Sequence, residues 1–272
     1  MTILRLKRTT HAPTPSTQAH ILPRLPLELR AQIYHFAILP LCSRNNLNQV
    51  TITAADAVHG SDARYPSFLP SVCRVNKATR IDIGLWFIRQ TEFSVLYVQH
   101  LVHFSQFLST FPHNQGFAAI RRLDFQLFSR HKPSPGKPNS SVEFMKRCPE
   151  LTQVHMKFDV WQLVQHEKEQ WTPVDTELVM LEDIASTFGL AALLDVGSLV
   201  TLTIELWPKT IARTSMGIKV VVPDCWPAME DVVAWLRKGF KERGKKVDVK
   251  FVESGNAGIR WYGVQQSLGM GV

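Results

Sequence analysis

The sequence has no unbroken apolar stretch of the roughly 18 or more residues that a membrane-crossing helix needs, so no membrane contact is expected. Cysteine is sparse and scattered. Cys42, Cys73, Cys148 and Cys225 form no CxxC pair and no dense block, which removes a disulfide scaffold or a zinc ribbon and leaves reduced, mostly buried thiols. Met1 to His20 lacks the sustained apolar run of a secretory leader. These residues are rich in Arg, Lys, Thr and Pro, and no acidic residue precedes Glu28. Residues 1–21 therefore read as a disordered basic tail, with a mitochondrial transit peptide as the alternative. An intracellular protein, cytoplasmic or nuclear, is expected.

Catalytic signatures are missing too. There is no GxSxG elbow, P-loop, GxGxxG, HExxH or Cys–His motif, so the chain is expected to be non-catalytic and to carry no cofactor. Asp82, Asp124, Glu205 and Asp248 are scattered, and sequence alone brings no pair of them together as acid and base. His100 and His103 stand three apart on a predicted helix, a spacing that can present two metal ligands, but no third ligand completes a motif nearby. A solvated helix face is the expectation there.

What remains is ordinary globular material. Apolar residues make up 45% of the chain and charged ones 20%, a balance that funds a core and argues against wholesale disorder. The formal net charge of +8 admits an anionic partner, nucleic acid included. Its densest cluster, Arg237, Lys238, Lys241, Arg243, Lys245 and Lys246, falls at the end of a predicted helix, where cations complement the helix dipole, and its one aromatic residue, Phe240, falls on the inward apolar face rather than beside the charges for base stacking. Nucleic acid is therefore an unfavoured partner.

Along the chain, the first strong element is a helix from Leu25-Pro26, with Pro26 at its start, Glu28 in its first turn, and Leu29, Ile33, Phe36 and Ala37 on one face. Pro40 should stop it soon after. Residues 41–70 look irregular around one possible strand, Gln49 to Thr53. A helix is expected over Ser71 to Arg89 and a strand over Glu92 to Val98 with both faces covered. Helices and strands then alternate. Leu101, Phe104, Leu108 and Phe111 form a helical stripe, Leu123, Phe125 and Leu127 a strand, and Ser129 to Ser140 a polar, mobile loop. Next come a short helix capped by Ser140 or Ser141, a strand over Leu151 to Phe158, a helix over Asp175 to Phe188 and a strand over Leu199 to Leu206. The last pair is a helix from Pro227 to Gly244, with Met229, Val232, Val233, Leu236 and Phe240 inward, and a strand through Val247, Val249 and Phe251. Strands separated by helices predict an α/β fold with a mostly parallel sheet.

The spacing φ-x-x-φ-x-φ-x-φ occurs at Ile120, Leu123, Phe125, Leu127; at Leu151, Val154, Met156, Phe158; and at Leu199, Leu202, Ile204, Leu206. With Cys148-Pro149 before the second copy, it resembles leucine-rich repeats, whose alternating strand residues point into one stacked core. The alternative is a set of ordinary parallel strands in an α/β layer fold.

Leu25 to Ile38 resembles the start of an F-box, and the pattern L-P-x-E-L-R-x-x-I-Y-x-x-A, at Leu25, Pro26, Glu28, Leu29, Arg30, Ile33, Tyr34 and Ala37, is similar to fungal F-box-like proteins. Val75-Asn76 with Arg80, leading to Leu85-Trp86-Phe87 and Phe93, is similar to that family's V-N-x-x-x-R helix and following strand. The resemblance implies that Leu25, Pro26, Glu28, Leu29, Ile33 and Tyr34 contact the adaptor subunit of a cullin-type ubiquitin ligase while the rest of the chain recognises an unknown target protein. The competing expectation is that Leu25, Leu29 and Ile33 pack onto the chain's own body. The domain map that follows is a tail at 1–21, an F-box-like helical segment at 22–90 with an irregular insertion at 41–70, a leucine-rich-repeat-like α/β region at 91–253, and a C-terminal tail at 254–272.

Overall fold

The computed structural model describes residues 25–42, 49–53, 63–134, 136–160, 163–166, 176–178, 181–207, 211–213, 219–221 and 225–253. The two tails of the sequence-based map, 1–21 and 254–272, lie outside these residues. No helix among the described residues is long and apolar enough to cross a membrane.

Six strands form one all-parallel sheet in which spatial order follows chain order: β1 (Gln49–Ile52), β2 (Glu92–Val95), β3 (Arg122–Phe125), β4 (Gln153–Asp159), β7 (Thr201–Trp207) and β10 (Asp248–Glu253). Between them run α2 (Lys77–Gln90), α3 (Val98–Ser109), α4 (Gln115–Ala119), α5 (Ser140–Lys146), α6 (Leu181–Phe188) and α7 (Trp226–Glu242), with α1 (Leu27–Cys42) ahead of β1. Two antiparallel hairpins, β5–β6 (Val164–His166, Thr176–Leu178) and β8–β9 (Ile211–Arg213, Lys219–Val221), are inserted after β4 and β7. The fold is therefore α/β with alternating β/α units, as the spacing of strands and helices predicts.

Because each strand joins the same side of its predecessor, crossovers of one hand put the connecting helices on the same face of the sheet. The registers show what this does to the side chains. Val50, Phe93, Leu123, Val154, Leu202 and Val249 stand side by side in one row, and Ile52, Val95, Phe125, Met156, Ile204 and Phe251 in the next. All twelve face the helices, where Phe87 and Phe104 meet Phe93, Phe188 meets Phe158, and Trp226 meets Phe251. The strand entries repeat as well. Arg121 O accepts from Thr152 and Gln153 N–H, Thr152 O from Val200 and Thr201 N–H, and Val200 O from Asp248 N–H. The three φ-x-x-φ-x-φ copies thus align in space as they do in sequence. A single core contains Tyr34, Ile38 and Ile52 together with Phe93, Phe158 and Phe240, and the possible strand expected within 41–70 is found as β1, paired with β2, while residues 43–48 and 54–62 lie outside the described residues.

Several boundaries differ from the sequence reading. The helix expected over Ser71 to Arg89 is broken: Ser71–Arg74 is a 3-10 turn, and Asn76 restarts the chain as the N-cap of α2, accepting from Thr79 N–H at 2.8 Å. β2 ends at Val95, because the chain turns at Tyr97 into α3, which covers Phe93. Ser94, on the face opposite Phe93 and Val95, is also buried, at 2% exposure, so both faces of β2 are covered as expected. Asn139, not Ser140 or Ser141, caps α5. Its amide also donates to His131 O and Phe188 O, so the polar 129–140 loop is pinned at both ends. Thr176–Leu178 pairs with Val164–His166 rather than opening a helix, and α6 begins only at Leu181. α1 also continues past Pro40 to Cys42.

Two buried polar side chains fasten the helical layer. Arg80 donates to Thr110 Oγ1 and O at 2.8 and 3.0 Å and lies over the Phe111 ring, tying α2 to the end of α3. His131 sits between Phe125 and Phe128, with Nδ1 2.6 Å from Ser141 Oγ and Nε2 3.3 Å from Leu96 O. Burial lowers its pKa to about 4, outweighing the raising effect of the Leu96 carbonyl. Gly116 allows a close approach, since a Cβ there would lie 2.3 Å from Leu108 O.

Phe240 is fully buried under α7, so Phe240→Ala should lower stability by about 3–5 kcal/mol, and an unchanged denaturation midpoint would contradict this packing. His131 is neutral in the fold and gains a proton more readily when unfolded. Its contribution is present above pH 6.5 and is lost as pH falls toward 4, by about 1.4 kcal/mol per pH unit. His131→Gln should flatten that part of the stability–pH curve.

Candidate functional site

α1 starts where Pro26 O accepts from Arg30 N–H, and it divides by periodicity into two sides. Arg30, Tyr34 and Ile38, four apart, face α2. Arg30 Nη1 lies 2.6 Å from Asp82 Oδ2, the Tyr34 hydroxyl donates to the same oxygen, and the Tyr34 ring meets Trp86 edge-on. Burial and the Asp82 carboxylate push the Tyr34 hydroxyl up to about 12, so it stays a donor. The other side presents Leu29, Ile33 and Phe36, which are 47%, 41% and 75% exposed. Beside it a groove lined by Ala31, Gln32, His35, Phe36, Trp86 and Gln90 separates α1 from α2.

The residues expected to meet an adaptor are therefore split. Pro26, Glu28, Leu29 and Ile33 are exposed, Leu25 is half-buried, and Tyr34, 3% exposed, belongs to the packing against α2. Leu29 and Ile33 do not pack the helix onto its own body. That task falls to Arg30, Tyr34 and Ile38.

The second surface is the sheet face away from the helices. Its rows read Gln49, Glu92, Arg122, Gln153, Thr201, Asp248 and then Thr51, Ser94, Asp124, His155, Thr203, Lys250, followed by Lys157 beside Glu205. At the centre, His155 Nδ1 stands 3.2 Å from Asp124 Oδ1 and Nε2 stands 2.8 Å from Glu205 Oε2, while Lys157 Nζ is 2.8 Å from Glu205 Oε1. Gln49 Nε2 donates to Asp124 Oδ2 at 2.7 Å, and Gln126 donates to the same oxygen. The imidazole contacts are close but poorly directed, leaving Asp124 Oδ1 and His155 Nε2 without an aligned hydrogen bond, so attraction between charges carries them. Burial disfavours the imidazolium, yet Asp124 and Glu205 outweigh it and raise the His155 pKa to about 9. Burial and the neighbouring Asp124 charge also raise the Glu92 carboxyl above its usual range.

Sequence reasoning named Asp124 and Glu205 as scattered carboxylates and passed over His155 and Lys157. The signal was the repeat itself, because Asp124, His155 and Thr203 fill one position of the three aligned copies, and Gln126, Lys157 and Glu205 another. Asp82 and Asp248 join no such cluster: Asp82 holds α1, and Asp248 lies by Lys250 on β10. His100 is buried against Tyr97 rather than solvated, and among the described residues no group of three or more His, Cys, Asp or Glu side chains is placed to hold a metal ion. The basic cluster is largely spent on the chain itself. Arg237 donates to Val249 O, Arg243 pairs with Asp195, and Lys245 donates to Leu194 O and Val196 O. Compared with known proteins, the chain matches no family model and no curated sequence.

The His155 reading has a definite sign. A pKa raised from 6.5 to about 9 adds stability that is complete below pH 6.5 and disappears as pH rises toward 9. His155→Gln should be less stable than wild type at neutral pH, with the difference closing in alkali. An imidazole that titrates near 6.5 by NMR would contradict the charge cluster.

Proposed function

We propose that this chain is a non-catalytic, intracellular protein-interaction subunit of F-box-like type, in which α1 docks a ubiquitin-ligase adaptor and the polar sheet face receives a target protein. The observation that carries this reading is the division of α1. Its polar and aromatic residues, Arg30 and Tyr34, are consumed in fastening the helix to Asp82 and Trp86, while Leu29, Ile33 and Phe36 are left in solvent. Three large apolar side chains on one exposed helix side mark a docking surface, and burial of each contributes about 1.5–3 kcal/mol to an interface. In the L-P-x-E-L-R-x-x-I-Y pattern, the Arg and Tyr are then fixings and the Leu and Ile contacts. The sheet face suits recognition rather than chemistry, because both nitrogens of His155 face carboxylates and neither is free to act as a base.

The test is a pulldown with purified adaptor, using wild type and the triple variant Leu29→Ala, Ile33→Ala, Phe36→Ala. Exposed positions tolerate truncation, so the variant should keep its melting transition yet bind more than tenfold more weakly. Equal binding by a folded variant would move the contact elsewhere. If the wild type does not bind, the ligase connection is lost and a protein-binding scaffold of the same build remains.

A further inference from the structure

β10 ends the sheet, and among the described residues no strand pairs with its outer side. Such an edge offers unpaired backbone groups to any other strand. In a parallel ladder both backbone groups of a residue point to the same side and those of the next residue to the other. Asp248 donates its N–H to Val200 O on the β7 side, so Val249 and Phe251 turn theirs outward. The outward carbonyl of Val249 is not left open. Arg237, reaching over from α7, donates to it through Nε at 3.0 Å and Nη2 at 2.7 Å.

The side chains around that carbonyl suit self-pairing. If two copies of β10 lay antiparallel about Val249, Asp248 of each would stand opposite Lys250 of the other, giving two cross-strand ion pairs on the polar face. Asp248 and Lys250 are both exposed, and within one chain they are only loosely paired at 3.4 Å. This register also requires each Val249 carbonyl to accept the N–H of the other Val249. Arg237 occupies that acceptor.

We propose that Arg237 is an edge guard: by holding the Val249 carbonyl it keeps β10 from pairing with β10 of a second copy. The guard acts through geometry, so it needs a donor on a long stem at position 237 and not merely a positive charge on the surface. The inference is independent of the adaptor reading, since it concerns the opposite end of the sheet.

The full-length protein can be followed by light scattering over a concentration series at low salt, beside circular dichroism of each variant. Wild type should remain at the monomer mass of 30.9 kDa. Arg237→Met keeps the aliphatic stem but has no donor, and its mass should rise toward twofold with concentration. Arg237→Lys, which retains one donor, should associate less than the Met variant. Arg237→Met with Lys250→Asp sets like charges opposite one another and should return to monomer. A folded, monomeric Met variant would overturn the proposal, as would a dimer that persists in the double variant. Loss of folding in the Met variant would assign Arg237 to holding β10 in place rather than guarding it, and a wild type that already dimerises and is released by Lys250→Asp would show the edge to be open.

Discussion

The rest of the structure depends on one constraint: each strand is laid on the same side of the last. Parallel strands need a crossover, and a crossover of fixed hand can reach the next strand from only one face when the direction of growth never reverses. Parallel sheets are ordinarily covered on both faces and carry apolar residues on both. Here the covered face holds two unbroken rows of apolar side chains, while the other carries glutamines, threonines and charges in the same registers. The period-two alternation of Leu123 to Phe125, Val154 to Phe158 and Leu202 to Leu206 is what this asymmetry demands.

Stacking in one direction also leaves two ends to close. At the C-terminal end, α7 covers β10 with Trp226 against Phe251 and takes up the Val249 carbonyl with Arg237. At the N-terminal end, α1 lies on α2 through a contact that is partly ionic, Arg30 and Tyr34 on one oxygen of Asp82. Attachment by a salt bridge, one aromatic ring and one isoleucine uses a narrow strip of the helix. The apolar residues on the remaining circumference have nothing to bury them within the described chain, and this surplus makes α1 a docking element in the proposed function.

The helix–strand alternation and the repeat were legible in the sequence because both follow from local periodicity. Val154 and Leu202 occupy the register positions that the φ-x-x-φ-x-φ alignment assigns them. The inward side of α1 was not legible, because apolar residues occur on both sides and the side turned inward is set by Asp82, some fifty residues away in the chain. Nor could periodicity find the strand at Thr176–Leu178, whose pairing with Val164–His166 overrides a helical-looking run. The polar cluster was hidden for a related reason. His155, Asp124 and Glu205 come from three strands, and each looks like an ordinary solvent-side residue until the strands are set in register.

That cluster in turn limits how the repeats can vary. Adjacent strands stand about 4.8 Å apart, so like charges in neighbouring positions of one row repel strongly in a half-buried setting. The rows avoid this by alternating sign: Glu92 beside Arg122, Asp124 beside His155, and Lys157 beside Glu205. His155 satisfies the pattern only as an imidazolium, since a neutral ring would leave Asp124 and Glu205 facing the same uncharged group from either side. A charge on one strand is therefore a condition on the next. The apolar face tolerates exchange of one hydrophobic residue for another of similar volume, whereas a substitution at Asp124, His155 or Glu205 is tolerated only with a compensating change across the strand boundary.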